Sequence, residues 1–171
     1  MSQSLIVAFR FLHIVSGAVW VGAVVLVAFF LMPAVMASGP AGGQVMKQFG
    51  ERKYPQVMMA LMAVTVFSGL GLMWEMAARS SGAWFSSPMG RTISFGAAAT
   101  IVAAVFGIVV ARPTAMRIQQ LAGEMQAGGG PPTAEQSAQM KALQSRMLRG
   151  SQIVAVLLLL AVAAMATARY V

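Results

Sequence analysis

Cysteine and aspartate are absent from this chain, histidine occurs once, and the only carboxylates are Glu51, Glu75, Glu124 and Glu135. Without cysteine there is no disulfide, no thiolate metal site and no dithiol redox motif. Four scattered carboxylates leave hydrolysis by paired acids with little to work with, and no catalytic residue is nominated. Charge is scarce as well, at 9% of 171 residues, whereas 58% are apolar. That balance excludes an ordinary soluble domain.

The apolar residues fall in four runs, roughly 5–35, 56–77, 92–111 and 150–168. A helix needs about 20 apolar residues to cross a bilayer core, so each run can span once. None of them alternates with period two, and an open strand in lipid would leave backbone groups unpaired. The expected fold is all-α: a polytopic membrane protein, one membrane domain over 1–171, built as a four-transmembrane-helix bundle. The first run is too long for a signal-peptide core and carries Arg10 and His13, which points to a retained helix.

The net charge of +8 does not point to nucleic acid, because the basic residues are spread among the segments that flank the runs. Loops one and three hold Lys47, Arg52, Lys53, Arg112, Arg117, Lys141, Arg146 and Arg149, against Arg10, Arg79, Arg91 and Arg169 on the other side. Eight against four places the two longer loops in the cytoplasm and both termini outside, as in a multi-pass protein of a bacterial inner membrane. Anionic lipid headgroups would favour the same arrangement.

The third loop, 112–149, has a helical pattern of its own. Ile118, Leu121 and Met125 recur at i, i+3 and i+7, the stretch Gly128-Gly129-Gly130-Pro131-Pro132 breaks the chain, and Met140, Leu143 and Met147 resume the spacing. Thr133 and Gln136 have the spacing of a capping box. The pattern predicts a cytoplasmic helical hairpin that extends helices three and four, with Pro113 as a kink. It serves either as a solvated connector or as a docking surface.

His13 is the main functional candidate, because an ionisable ring inside a span is costly unless it has a partner or a task. At 100° per residue it shares a helix face with Gly17 and Trp20, and Arg10 lies one turn nearer the outer surface. A flat macrocycle ligated by His13 could lie over Gly17, with Arg10 near its carboxylates and Trp20 against the ring. The same residues equally describe a histidine bonded to a neighbouring helix beside a glycine that lets two helices approach.

The stretch Arg10-Phe11-Leu12-His13, six residues, Trp20-Val21-Gly22, then Leu31-Met32-Pro33, is similar to the first helix of a group of small bacterial membrane proteins. That group includes the CopD-like copper-resistance proteins and the HemJ-type protoporphyrinogen oxidases. The match covers about 25 residues of helix one, and the rest only as a four-helix plan. The resemblance implies a heme-binding or metal-handling membrane bundle with His13 as the ligand. The chain has no second histidine and no lysine in its spans.

A single histidine leaves the second axial position of a heme to a methionine, a water or His13 of another protomer. Met73 and Met76, at the outer end of helix two, are the internal candidates. Arg79 and Arg91 stand near the same surface, where they could meet carboxylates of a cofactor, and Glu75 with Arg79 has i, i+4 ion-pair spacing. Met58, Met59 and Met62 could hold Cu(I) through their thioethers, although methionine in apolar helices usually packs. The expectation is a small membrane cytochrome carrying heme b, active in electron transfer or redox sensing, as a homodimer or a subunit of a membrane complex with a redox partner. Two alternatives stay open: a cofactor-free accessory or scaffold subunit, and copper handling. Gly69, Gly71, Gly96 and Gly107 are expected at close helix contacts.

Overall fold

The computed structural model describes residues 1–171, the side chain of Pro40 excepted. The described residues are helical apart from short turns and connecting stretches, with no strand among them. We label the helices α1 (Gln3–Ala37), α2 (Pro40–Glu51), α3 (Tyr54–Arg79), α4 (Pro88–Ala127) and α5 (Ala134–Thr167). Among the described residues α1, α3, α4 and α5 are long and apolar enough to cross a membrane. The chain is thus a membrane-spanning protein by helix length and composition.

Local chemistry sets where the helices begin and end. Ser2 caps α1 by accepting from the Leu5 N–H at 3.3 Å, and Ser87 caps α4 by accepting from Gly90 N–H at 3.0 Å. Pro88 follows that cap at a position where a missing N–H costs nothing. The capping box expected before α5 is present: Thr133 Oγ1 accepts from Gln136 N–H at 3.1 Å and Gln136 Oε1 from Thr133 N–H at 3.0 Å. α1 stops at Gly39, whose φ of 55° is left-handed and suits glycine.

Interior prolines reshape two helices, α1 at Pro33 and α4 at Pro113. A proline inside a helix donates no N–H, and its ring crowds the carbonyl four residues back. Ahead of Pro33 and Pro113 the turns Val27–Leu31 and Gly107–Ala111 widen to π geometry, with Met32 N–H reaching Val27 O and Arg112 N–H reaching Gly107 O. Pro113 was expected to mark a kink, and the distortion it brings is this π turn.

α1 packs along α3, and α4 packs along α5. The pairs join around Trp20, which is 5% exposed and surrounded by Ala103 and Ala104 of α4 and Val154 and Leu158 of α5. Met58, Leu61 and Met62 of α3 pack against the same cluster. Small residues bring α4 and α5 together: a Cβ on Gly96 would lie 3.1 Å from Ala161 O, and one on Gly150 only 2.8 Å from the Phe106 ring. Gly107, expected at a helix contact, has open space beside it. It belongs to the π turn instead.

The outward faces are apolar, with Trp74 77% and Phe67 72% exposed. Such residues need hydrocarbon rather than water around them. At 40 residues α4 is about 60 Å long, roughly twice the thickness of a bilayer core, so much of it projects beyond. Its second half packs beside the first half of α5, and Leu121 between them is 1% exposed.

Candidate functional site

In an apolar helix a hydroxyl side chain satisfies itself by donating to a carbonyl one turn back. Ser16 does this to Leu12 O at 2.6 Å, and Thr65 does it to Leu61 O at 2.7 Å. The two hydroxyls stand 2.8 Å apart across the α1–α3 interface, where both residues are buried; each has a single hydrogen, so one of them gives it to the other hydroxyl in place of its own carbonyl. Ser68 adds a third hydroxyl, bonded to Val64 O and at 3.2 Å to Thr65 O. A polar seam thus joins two helices whose other facing residues are apolar or glycine.

His13 lies one turn from Ser16 on α1 and completes the seam. Its Nδ1 is 2.8 Å from the carbonyl oxygen of Thr65. A carbonyl only accepts, so Nδ1 carries a hydrogen, and in the neutral ring Nε2 keeps the lone pair. Among the described residues Nε2 has no hydrogen-bond partner, and the ring is half-buried.

Glycine makes room for this ring. A Cβ on Gly69 would stand 2.7 Å from His13 Cε1 and 2.9 Å from Nδ1, closer than real contacts allow. Two residues on, Gly71 receives the Phe9 ring in the same way. The interface therefore fits an aromatic ring from α1 onto each of two bare positions of α3.

The nominated residues do not all gather at His13. Gly17 faces Thr65, whose Cγ2 lies 3.3 Å from the point where a Cβ would be, so the shelf is filled by a methyl group. Trp20 sits in the central cluster with α4 and α5. Arg10 and Arg91 are exposed and, among the described residues, in no ion pair. Arg79 pairs with Glu75 at 2.8 Å, as the i, i+4 spacing predicts, and Glu75 also accepts from the Met1 amine at 2.9 Å. Met73 and Met76 are half-buried on α3, one and two turns beyond Gly69. Met58 and Met62 pack around Trp20 while Met59 is exposed, so the three thioethers divide between core and surface.

Thr65, Ser16 and Ser68 were not nominated from the sequence. Their signal is the run Thr65-Val66-Phe67-Ser68-Gly69 facing His13-Ile14-Val15-Ser16-Gly17: hydroxyl and glycine side by side in two apolar helices. Only the pairing register reveals which carbonyl the imidazole meets.

A metal-binding imidazole normally donates its second N–H to a carbonyl or carboxylate, which fixes the tautomer and aims the other nitrogen. His13 has that arrangement, and its donor set fits a heme iron bound through Nε2. A macrocycle on Nε2 would not lie over Gly17, because the Thr65 methyl occupies that space; it would have to meet His13 from the open side of the half-buried ring. Among the described residues no group of three or more His, Cys, Asp or Glu could hold a metal ion by itself. Neither a scan of protein-family models nor searches of curated proteins and of solved structures returned a match to this chain.

Proposed function

We propose that the chain is a four-helix membrane bundle that binds heme b through His13 Nε2 and works as a small cytochrome in electron transfer or redox sensing. The observation that carries this reading is the 2.8 Å contact of Nδ1 with Thr65 O, which leaves Nε2 without a hydrogen-bond partner among the described residues, within a span. When bound, the heme supplies a one-electron couple whose potential follows its axial ligands and surroundings. The chain's own residues orient and protect that ligand. Thr65 holds the imidazole, Gly69 admits it, and the Ser16–Thr65 bond fixes α1 against α3 so that the ring cannot swing.

Arg10 and Arg91, free of ion pairs among the described residues, are the cations available for heme carboxylates, while Arg79 is held by Glu75. Met73, Met76 or the same histidine of a second protomer would be the residues available to hold the group from its other side. The similarity of helix one to small bacterial membrane proteins is what suggests a bacterial inner-membrane location, and the charge count favours both termini outside with the hairpin of α4 and α5 in the cytoplasm.

The test is an absorption spectrum of the protein purified in mild detergent, oxidised and then reduced with dithionite. A Soret band with sharp reduced α and β bands is the expected result. A folded, colourless protein that takes up no added hemin overturns the reading. One observation favours a second reading, a cofactor-free subunit: the methyl of Thr65 over Gly17 leaves His13 as a staple between two helices. Colourless protein that co-purifies with other membrane subunits is its expected outcome.

A further inference from the structure

The first charges met at one membrane edge are Arg112 on α4 and Arg149 on α5, because 92–111 and 150–168 are free of charge. At that edge, between α4 and α5, lies an open cleft of about 460 Å³ lined by Phe106, Val110, Ser145, Arg146, Arg149 and Ile153. Arg146, Arg149 and Ile153 fall on one face of α5, at i, i+3 and i+7. Both guanidinium groups are exposed, and among the described residues neither is in an ion pair.

A second depression of about 310 Å³ continues from the cleft along α4, sharing Phe106 and Val110 with it. Its other walls are Ile101, Val102, Val105 and Val109. These residues form two i, i+4 ridges, 101–105–109 and 102–106–110, with a furrow between them. The furrow is about 14 Å long by helix rise and runs through the uncharged part of α4. Gly150 lets the Phe106 ring sink toward α5.

An apolar furrow within the hydrocarbon that opens into a pair of unneutralised arginines at the membrane edge matches one ligand chemistry. We propose that this is a binding site for an anionic phospholipid, with the phosphate on Arg146 and Arg149 beside the Ser145 hydroxyl and an acyl chain in the α4 furrow. Guanidinium groups match phosphate oxygens in geometry as well as charge, and basic clefts between membrane helices hold anionic headgroups. A soluble phosphate would use the arginines but has no use for the furrow. The proposal is independent of the heme reading.

Native mass spectrometry of the detergent-solubilised protein tests it, with phosphatidylglycerol, phosphatidylcholine and glycerol 3-phosphate as probes. Phosphatidylglycerol should bind selectively over phosphatidylcholine. Arg146→Gln with Arg149→Gln should weaken it by about thirtyfold, given two phosphate-facing charges. Val105→Trp, which fills the furrow at an outward position, should weaken it while leaving the charges intact. Lys47→Gln, on α2 and outside the lining of the cleft, should leave binding unchanged. Equal binding of both lipids overturns the proposal, as does an equal loss in Lys47→Gln. Glycerol 3-phosphate binding as well as the lipid, with Val105→Trp silent, identifies a phosphate site and equally overturns it.

Discussion

His13 donates from its imidazole Nδ1 to the Thr65 carbonyl at 2.8 Å, and the hydroxyl of the same threonine meets that of Ser16, one turn along α1, at 2.8 Å. One residue of α3 thus sets the position of the ring and the register of the helix that carries it. Both contacts lie in an apolar interface, where water does not compete for them.

The register depends on the hydroxyl pair. Thr65→Val keeps the methyl that covers Gly17 and removes only the hydroxyl, so it should destabilise the protein by about 0.6 kcal/mol, a typical value for such bonds in membrane helices. Ser16→Ala should cost a similar amount, and the double variant little more than either. A denaturation cycle in mixed micelles measures the coupling; fully additive losses would show that the two hydroxyls do not act together.

Ring placement depends on Gly69. Gly69→Ala brings a methyl to 2.7 Å from His13 Cε1, so the ring must leave Thr65 O. Heme affinity should fall by about tenfold or more, the usual cost of losing an outer partner of a metal ligand. Gly71→Ala crowds Phe9 instead and should lower stability with the heme spectrum unchanged. Hemin titration of both variants, with circular dichroism to confirm folding, separates the two effects.

Trp20 belongs to the packing of the four long helices. Trp20→Ala should cost about 3–5 kcal/mol through the cavity it leaves beside Ala103 and Leu158. The positions of the reduced α and β bands should stay where they are in the native protein. A shift of those bands with little loss of stability would place Trp20 at the cofactor instead.

The capping box at Thr133 is expected to govern the turn before α5. Thr133→Ala removes the acceptor for Gln136 N–H and should cost about 1 kcal/mol locally. Limited proteolysis within 128–136 should then speed up, and the membrane-embedded part of α5 should stay protected. Unchanged cleavage would show that packing around Leu121 alone holds this end.

Much of the helical architecture is legible in the sequence because bilayer crossing imposes a coarse, long-range signal: uncharged runs such as 92–111 and 150–168 between basic residues. Cap chemistry is equally local, and Thr133 with Gln136 could be read directly. The site was legible only in part. His13 stands out as the one ionisable ring in a span, but its partner is a backbone carbonyl, which has no residue-type signature. Gly17 and Trp20 share its helix face by angle, yet a helix that packs against two neighbours sends residues of one face to different partners, Gly17 to Thr65 and Trp20 to α4 and α5. The π turns before Pro33 and Pro113 rotate the later part of each helix, which a fixed 100° wheel does not follow.

The most direct test of the central claim is imidazole rescue. His13→Gly and native protein are purified without heme, incubated with hemin with and without imidazole, and read by reduced-minus-oxidised spectra and pyridine hemochrome. The account predicts stoichiometric b-type heme on the native chain, none on His13→Gly alone, and recovery of the α and β bands when imidazole occupies the vacated place. Equal heme uptake by both proteins without imidazole, or none by a folded native chain, would contradict it.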